Sequence, residues 1–346
     1  MRSLVTGGAG FIGSHLVEQL LEMGDDVVVL DNLSTGSLDN LELVHADPHL
    51  SWHQGDVTVR SDVQWAMRGV DRVFHLAAAV GVHLIVESPL ASLRTNIHGT
   101  ELVLETAQQV GVPVLLASTS EIYGKNTADR LHEDADRILG STLKSRWGYA
   151  AAKGIDEAFA HAYWSEHGLP VTIVRLFNTV GPRQTGTYGM VVPRLVGQAL
   201  AGEDLTVHGD GHQTRCFSFV RDVVPAIVAL AEEPRSRGLA YNLGGAEEIS
   251  VLELAARILS VTGSASGVRL VPYEQAYAPG YEDMRRRVPD NTRSHELVGF
   301  TPTTSLDDMI VAVAADLSQR PARGGVLVGA TESVPVPSPL THPRWH

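Results

Sequence analysis

The stretch TGGAGFIG, residues 6–13, places glycines at positions 7, 10 and 13 between a short apolar segment, SLV, and a helical pattern. Glycines at this spacing allow a tight turn, close approach of the backbone to a ligand, and close packing of a helix on a strand. The helix that follows directs its first amides, at the positive end of its dipole, into the turn. The stretch therefore predicts a strand–turn–helix unit that binds the pyrophosphate of a dinucleotide.

The segments around this turn alternate between strand and helix patterns. DVVVLD (26–31), RVFHLAA (72–78) and VPVLLAS (112–118) are apolar runs, and residues 88–110 have the pattern of a long helix. Buried strands that alternate with helices indicate a parallel sheet covered on both faces. We predict an α/β fold, a Rossmann-type doubly wound parallel sheet with a smaller C-terminal substrate-binding lobe.

An acid ends the second predicted strand, at Asp31, about 20 residues beyond the glycines. A carboxylate there accepts hydrogen bonds from the adenosine ribose and repels a 2′-phosphate, which favours NAD over NADP. Asp56, in GDV, is placed to contact the adenine. The plainer alternative, turn glycines and a capping Asp, leaves the order of strand, glycines, helix, strand and acid unexplained. The candidate cofactor-binding residues are Gly7, Gly10, Phe11, Ile12, Gly13, Asp31, Asn32, Asp56, Val57, Leu76, Ala77, Ala78, Tyr149 and Lys153.

The character of the chain changes beyond about Asn178, where Gly, Pro and Arg cluster and the elements become shorter. We predict a Rossmann domain over residues 1–178, to which later elements return, and a substrate-binding lobe over residues 179–318. Residues 319–346 are rich in Pro and Gly without periodicity, so we expect a largely disordered tail.

The composition excludes several classes of protein. The 346 residues carry 27 Lys and Arg against 40 Asp and Glu, a formal net charge of −13, which disfavours nucleic acid as a partner. A single cysteine, Cys216, excludes an internal disulfide framework, and the 15 histidines show no metal-ligand spacing, so we predict no metal site. No apolar stretch approaches the roughly 18 residues that span a bilayer, and we expect a soluble cytoplasmic protein.

The segment YAAAK places Tyr149 and Lys153 four residues apart, on one face of a helix. A phenol with an ordinary pKa of about 10 is a poor base at neutral pH. A lysine one turn away, with the positive nicotinamide of NAD⁺ nearby, would lower that pKa by stabilising the phenolate. Alone, this spacing is more often structural. Combined with the glycine turn and the hydroxyl-rich strand end at 118–120, it predicts a catalytic Tyr–Lys pair.

These motifs together resemble the extended branch of the short-chain dehydrogenase/reductase superfamily, which contains nucleotide-sugar epimerases, dehydratases and decarboxylases. The resemblance covers residues 1 to about 315 and is carried, in order, by TGGAGFIGSHL, HLAA, YAAAK, NTVGPRQ, VHGDGHQTRCFSFVRDV and YNLGG. It implies an enzyme in which Thr119 hydrogen-bonds the sugar 4-hydroxyl, Tyr149 removes its proton, and the C4 hydride passes to NAD⁺.

The triplet Thr119-Ser120-Glu121 separates the branches of that family. In its 4,6-dehydratases an Asp–Glu pair follows the Thr, and in simple 4-epimerases the stretch is small or hydroxyl-bearing without an acid. LLASTSEIYG most closely resembles UDP-glucuronate decarboxylases, which carry a distant Arg. Matching PGYEDMRRRVPD (279–290) position by position puts this Arg at Arg287 and a companion Tyr at Tyr281; SRW (145–147) also resembles that group.

The resemblance implies a decarboxylation chemistry. Oxidation of glucuronate at C4 gives a β-keto acid, which loses CO₂ when the enolate at O4 is stabilised. Glu121 would loosen the substrate carboxylate by repulsion and Arg287 would orient it, before re-reduction to UDP-xylose or release of the 4-keto pentose. The implied catalytic residues are Thr119, Ser120, Glu121, Tyr149, Lys153 and Arg287, and the implied substrate-binding residues are Asn178, Arg194, Arg215, Tyr281 and Arg287.

Several alternatives remain open in the sequence. The same Thr, Tyr and Lys serve a 4-epimerase acting on a UDP-hexose or UDP-glucuronate, in which an Arg would hold the carboxylate. A non-catalytic NAD-binding protein would have lost one of those three residues. Glu121 is also compatible with a helix cap, and RRR (285–287) with a surface charge run. Membership of the family implies a homodimer formed through the helix that bears Tyr149.

Overall fold

The computed structural model describes residues 1–80, 88–186, 189–276, 282 and 284–319. The tail predicted to be disordered lies outside the described residues, except for Gln319, which ends a helix.

The strands of the described chain follow the predicted order. They are β1 (Arg2–Thr6), β2 (Asp26–Asp31), β3 (Leu50–Gln54), β4 (Arg72–His75), β5 (Val114–Thr119), β6 (Val171–Leu176), β7 (Thr179–Val180), β8 (Leu205–His208), β9 (Thr214–Cys216), β10 (Ser218–Phe219), β11 (Ala240–Leu243), β12 (Glu248–Ser250) and β13 (Val268–Val271).

The helices of the described chain include those that cover the two faces of the sheet. They are α1 (Phe11–Glu22), α2 (Arg60–Ala66), α3 (Pro89–Val110), α4 (Gly148–His167), α5 (Val191–Ala201), α6 (Val220–Glu232), α7 (Val251–Thr262), α8 (Tyr273–Ala276), α9 (Thr292–Val298) and α10 (Leu306–Gln319). Short 3₁₀ turns follow β5 at Ser120–Tyr123 and precede α4 at Ser145–Trp147.

Seven strands of the described chain form one parallel sheet in the order β11-β6-β5-β4-β1-β2-β3. The order reverses between β1 and β4, which creates the crevice at the carboxyl ends of the strands where ligands bind in such sheets. The predicted doubly wound Rossmann-type sheet is confirmed. Elements after residue 178 also return to it, since β11 pairs with β6 in register from Ala240 opposite Ile173.

Each strand of the sheet contributes to two cores because successive side chains point to opposite faces. On β1, Leu4 packs into the core beneath α2, α3 and α4, and Val5 packs into the core beneath α1 and α6. Both side chains are fully buried. This double burial explains why the strands are apolar without alternation.

One strand differs from its predicted bounds. The fourth strand ends at His75 rather than at residue 78, because the following residues turn across the glycine turn, where Ala77 N lies 2.8 Å from the position of a Cβ on Gly7. The third strand, β3, forms the edge of the sheet and is partly exposed.

The glycine turn has the tight geometry that its spacing predicts. Gly7 has a φ of +74°, a left-handed conformation that favours glycine. A Cβ on Gly13 would lie 2.1 Å from Gly7 O, so the third glycine lets α1 pack against the end of β1. Helix α1 begins after Gly10 with no side-chain cap, which leaves its first amides directed at the crevice.

Candidate active site

A cavity of about 480 Å³ runs along the carboxyl ends of the strands from the glycine turn to Arg287. It brings together the loops that follow β1 and β4, the carboxyl ends of β2 and β5, the start of α1 and of α4, and residues beyond 177. The predicted site residues that line it are Gly7, Gly10, Phe11, Ile12, Gly13, Asp31, Asn32, Val57, Leu76, Ala77, Ala78, Thr119, Ser120, Glu121, Tyr149, Asn178, Arg194, Arg215 and Arg287.

Two described residues of the predicted site, Asp56 and Lys153, are not among those that line the cavity. The Asp56 carboxylate accepts hydrogen bonds from Thr58 N at 2.8 Å and Asn32 Nδ2 at 2.9 Å. Lys153 lies beneath Tyr149 with 2% of its side chain exposed. Tyr281 lies outside the described residues.

The dinucleotide end of the cavity fits NAD. Asp31, at the carboxyl end of β2, is fixed by hydrogen bonds from Ala9 N at 3.0 Å and Leu33 N at 2.8 Å. Burial raises the pKa of this carboxyl, and the two amides act against that rise. A fixed acid beside a bare helix terminus and a glycine turn matches a ribose and a pyrophosphate. The residues present therefore suit this cofactor.

Tyr149 lies where β5 meets α4, with its side chain almost buried and hydrogen-bonded to the Thr119 hydroxyl. Burial raises the pKa of the Tyr149 phenol well above its usual value, and the negative charges of Glu121 and Asp156 raise it further. The expectation that Lys153 and the positive nicotinamide together lower this pKa concerns the enzyme with bound NAD⁺ and stays a prediction. Lys153 Nζ lies 2.8 Å from Asp156 Oδ2 in a buried ion pair.

Glu121 is held between two arginines. Its Oε2 lies 2.5 Å from Arg146 Nη1 and its Oε1 lies 2.7 Å from Arg287 Nη2, and Arg287 Nη1 also donates to Ser120 Oγ at 3.1 Å. Burial would raise the pKa of Glu121, but the two guanidinium groups outweigh it and hold the pKa far below its usual range. Glu121 is therefore an ionised side chain of the site rather than a helix cap, and its backbone N–H is instead capped by Thr119 Oγ1.

The three arginines of RRR have separate partners. Arg285 pairs with Asp210 at 2.7 Å, and Arg286 pairs with Glu248 at 2.8 Å, both on the exposed surface. Arg287 alone enters the site, with 5% of the residue exposed. The surface-charge interpretation therefore holds for the first two positions and is wrong for the third.

Long-range backbone pairing brings Arg287 to Glu121. The chain at 288–290 bridges Leu131, with Leu131 N donating to Val288 O at 2.9 Å and Asp290 N donating to Leu131 O at 3.0 Å. The buried amide of Asn242 on β11 donates to Leu131 O at 2.7 Å and to Asp290 O at 3.1 Å. These bonds fix the segment that carries Arg287 against the end of β5.

Arg146 is a site residue that residue-by-residue sequence reasoning missed. It lies in the 3₁₀ turn before α4, with 7% of its side chain exposed, and lines the cavity opposite Arg287. The signal was the resemblance of SRW to decarboxylases, but no role was attached to its Arg. Spacing alone does not separate a site arginine from a capping or surface arginine.

Three of the predicted substrate-binding residues, Asn178, Arg194 and Arg215, line the part of the cavity formed by residues beyond 177. Asn178, at a φ of +32°, donates from Nδ2 to Cys216 O at 2.9 Å. Arg194 Nη1 donates to Thr206 O at 2.7 Å, and Arg215 Nη1 donates to Met284 O at 2.8 Å. Both guanidinium groups line the cavity, and guanidinium groups are suited to binding phosphate oxygens.

Two kinds of feature are absent from the described residues, a metal-binding cluster and a membrane-spanning helix. Within residues 1–80, 88–186, 189–276, 282 and 284–319, no group of three or more His, Cys, Asp or Glu side chains is arranged to hold a metal ion. Over the same ranges no helix is long and apolar enough to cross a membrane.

The fold and the cavity define a class of protein, the nucleotide-sugar-modifying enzymes of the short-chain dehydrogenase/reductase type. Residues 4–313 match the family described as GDP-mannose 4,6 dehydratase, and the chain belongs to this family.

Individual relatives have more specific names. The chain is 42% identical to the UDP-N-acetyl-alpha-D-glucosaminuronate decarboxylase of Bacillus cytotoxicus over 306 residues, which are 88% of this chain and 94% of that protein. It is 36% identical to UDP-glucuronic acid decarboxylase 1 of Xenopus tropicalis, over 89% of this chain and 70% of that protein.

A solved structure, UDP-glucuronic acid 4-epimerase of Bacillus cereus with UDP-glucuronic acid and NAD, superposes with a TM-score of 0.83. It is 28% identical and covers 92% of this chain and 99% of that chain.

Proposed function

We propose that this protein is an NAD-dependent decarboxylase of a UDP-hexuronate, with UDP-glucuronate as the first substrate to test. The observation that carries the proposal is Glu121 held between Arg146 and Arg287, beside Thr119 and Tyr149. Two guanidinium groups around one ionised carboxylate leave a net positive charge, which suits a second carboxylate, that of the substrate. The decarboxylases among the relatives support the same assignment.

Thr119 and Tyr149 hold the reacting sugar hydroxyl. The hydrogen bond between their side chains marks the position of the 4-hydroxyl, which would enter between them and give its proton to the Tyr149 oxygen. Lys153 follows Tyr149 by one turn of α4, is buried, and would stabilise the phenolate when NAD⁺ is bound. NAD, which the glycine turn and Asp31 would hold, would supply the two-electron oxidant for C4 and the hydride for its later reduction.

The arginine pair orients the C6 carboxylate of the oxidised sugar. Arg287 binds it, and the fixed negative charge of Glu121 opposes tight binding, so the carboxylate is positioned without being over-stabilised. Loss of CO₂ leaves its bonding electrons in an enolate at C5, C4 and O4. The hydroxyl groups of Tyr149 and Thr119 stabilise this enolate as hydrogen-bond donors at O4. A water molecule held by Arg287 would give C5 its proton, and the hydroxide that this leaves would be neutralised by solvent.

A second candidate, a UDP-glucuronate 4-epimerase, is supported by the superposition on the Bacillus cereus enzyme. It needs the same Thr119, Tyr149 and Lys153 but requires the carboxylate to survive oxidation at C4. The ionised Glu121 next to Arg287 favours decarboxylation, because its negative charge weakens the binding of the substrate carboxylate. An epimerase must keep that carboxylate bound and intact. NAD as the cofactor, a cytoplasmic location and a homodimer are part of the main proposal.

The test mixes purified protein with NAD⁺ and either UDP-glucuronate or its 2-acetamido analogue, and follows CO₂ release and product mass. A product lighter by one CO₂ is expected. A product of unchanged mass with inverted C4 would make the protein an epimerase. The two substrates separate the activities named for the relatives from Xenopus and Bacillus.

Variants locate each step. Tyr149→Phe is expected to abolish NADH formation, whereas Tyr163→Phe on the same helix should not affect it.

Arg287→Ala should still allow oxidation at C4 and slow CO₂ release about 100-fold, as the loss of a preorganised hydrogen-bond donor does in other enzymes. The matched control is Arg286→Ala, whose guanidinium pairs with Glu248 on the surface. Equal rates of CO₂ release in the two arginine variants would remove Arg287 from the mechanism.

A further inference from the structure

Tyr123 is a fully buried tyrosine to which the proposed mechanism gives no role. It ends the 3₁₀ turn Ser120–Tyr123, which also carries Glu121. Its ring packs in a small apolar cluster beside Phe177, with 6.0 Å between the ring centroids, and a phenylalanine ring would serve this packing equally well. The hydroxyl group adds a polar atom to the cluster, which is costly in a buried place unless it is hydrogen-bonded.

The Tyr123 hydroxyl links a guanidinium group to an amide. Arg175 Nη1 donates to the hydroxyl at 3.0 Å, and the hydroxyl donates to Asn242 Oδ1 at 2.7 Å. Burial raises the pKa of Tyr123 to about 12, and the neighbouring Arg175 acts against that rise. The hydroxyl therefore keeps its proton at neutral pH and remains a donor to Asn242.

The orientation of the Asn242 amide follows from its partners. One end of the amide meets two backbone carbonyls, Leu131 O at 2.7 Å and Asp290 O at 3.1 Å. Carbonyl oxygens only accept hydrogen bonds, so this end is the Nδ2 group and Oδ1 faces Tyr123. Asn242 is fully buried, and both polar atoms of its side chain are hydrogen-bonded.

Arg175 is itself fixed, so this chain of hydrogen bonds starts from a rigid point. It lies on β6 opposite Ser118 of β5. Its guanidinium group donates to both oxygens of Glu157 on α4, at 3.0 Å and 2.7 Å, and Nη1 also donates to Glu133 O at 2.6 Å. A two-pronged arginine–carboxylate pair fixes geometry as well as charge. The Tyr123 hydroxyl is therefore held from the central sheet.

Residues 284–290, which carry Arg287, are described and lie in neither a helix nor a strand of the sheet. Just beyond Arg287 this segment is anchored by its bridge to Leu131 and by the Asn242 amide. Without the Tyr123 hydroxyl, Asn242 Oδ1 would lose its donor and the amide would lose its fixed orientation. The anchor next to Arg287 would then loosen.

The residues proposed for C4 oxidation are held in a different way. Thr119 ends β5 and lies opposite Leu176 in the register with β6. Tyr149 lies in the first turn of α4. Because strand pairing and a helix hold these two side chains, the hydrogen bonds of Tyr123 bear on the decarboxylation half of the site.

We propose that Tyr123 is a positioning residue that acts through Asn242 on the place of Arg287. The turn that Tyr123 ends carries Glu121. The segment that Asn242 anchors carries Arg287, so the hydrogen bond between the Tyr123 and Asn242 side chains sets how far apart the carboxylate and the guanidinium group of the site lie. This inference rests on the proposed decarboxylation and gives that step a residue that is not among those lining the cavity.

The test follows a single turnover with NAD⁺ and the UDP-hexuronate that the wild type decarboxylates, and measures bound NADH and released CO₂ separately. Tyr123→Phe is expected to form NADH at the wild-type rate and to release CO₂ roughly tenfold more slowly, so that NADH accumulates before CO₂ appears. This loss is smaller than that expected for Arg287→Ala, because the guanidinium group is displaced rather than removed. Tyr241→Phe, at a buried tyrosine next to Asn242 on β11, is the matched control and should behave as the wild type.

A double-mutant cycle separates the positioning of Arg287 from a general loss of structure. In the Arg287→Ala background, Tyr123→Phe should have no further effect on CO₂ release, because the side chain that it positions is gone. An equal tenfold loss in both backgrounds would show that Tyr123 acts without Arg287 and would overturn the proposal. CO₂ release at the wild-type rate in Tyr123→Phe would overturn it as well.

Should Tyr123→Phe fail to fold, the same cycle is run with Asn242→Asp. This variant keeps the size of the side chain but places an oxygen where Nδ2 faces two carbonyls. It should slow CO₂ release when Arg287 is present and not when Arg287 is replaced. Wild-type protein that releases no CO₂ from either UDP-hexuronate would contradict the proposed function together with this role. Additive losses in an active enzyme would contradict only the role of Tyr123.

Discussion

His75 shows how one buried side chain sets a pH limit on the fold. Its ring is fully buried between Thr6 and Thr100, and burial lowers its pKa from 6.5 to about 3. The unfolded chain therefore binds one more proton than the folded chain between these two pH values. Stability contributed by the neutral ring is complete above pH 6.5 and is lost as the pH falls toward 3.

We expect the free energy of unfolding to fall by about 1.4 kcal/mol per pH unit below pH 6.5 because of His75 alone. Urea titrations at several pH values just below 6.5 measure this slope before most carboxylates take up protons. His75→Gln should be less stable at neutral pH but should have a flatter slope. A variant slope equal to that of the wild type would show that His75 is not the group that titrates.

The turn between β1 and α1 gives a test of how tightly the glycines are required. A Cβ on Gly13 would lie 2.1 Å from Gly7 O, which is backbone and cannot move aside. Gly13→Ala is expected to cost roughly 1–3 kcal/mol of stability, as overpacking does in cores, and to weaken NAD binding. Gly197 on α5 has no atom within 4 Å of its Cβ position.

Gly197→Ala is the matched control and should gain roughly 0.5–1 kcal/mol, because alanine loses less entropy in a helix. Urea midpoints and NAD titrations of both variants compare the same substitution in two helices. Equal stability in Gly13→Ala and the wild type would contradict the packing assigned to the third glycine.

The features that depend on a local sequence pattern are the ones that could be predicted from the sequence. The glycine turn, Asp31 at the end of β2, and Tyr149 four residues before Lys153 are each encoded within one or two neighbouring elements. The tertiary contacts of Glu121 were not encoded in this way, since Arg287 lies 166 positions away and reaches it through the bridge at Leu131. The resemblance identified that Arg, but its pairing with Glu121 and Arg146 became visible only in three dimensions.

Burial is the other property that residue patterns did not supply. Spacing placed Lys153 beside Tyr149 and Asp156 one turn beyond it, but it did not reveal that both side chains are closed to water. The same is true of RRR (285–287), in which two of the three arginine side chains are exposed and the third is buried. In each case the long-range fold decides which member of a local pattern enters the site.

The whole chain is acidic, yet the cavity concentrates positive charge. The formal net charge is −13, while Arg146, Arg194, Arg215 and Arg287 all line one crevice. A uniformly acidic crevice would repel a nucleotide sugar that carries a diphosphate and a carboxylate. The local arginines therefore offset the overall negative charge where an anionic ligand would bind.

Helices α3 and α4 pack side by side on one face of the sheet and carry exposed apolar side chains. Leu90, Val110 and Ile155 are 62%, 53% and 43% exposed. Exposed apolar residues on two adjacent helices are suited to pairing with the same surface of a second copy. We predict a homodimer through α3 and α4, which would bring the two catalytic helices together at a shared interface.

Sedimentation velocity tests this prediction. The wild type should sediment as a dimer, and Ile155→Glu should sediment as a monomer, because a carboxylate buried at an apolar interface loses its hydration without a partner. Val311→Glu, at a 55% exposed position on α10, is the matched control and should remain dimeric. Circular dichroism should be unchanged in both variants. A dimer that survives Ile155→Glu but not Val311→Glu would move the interface from the catalytic helix to the C-terminal one.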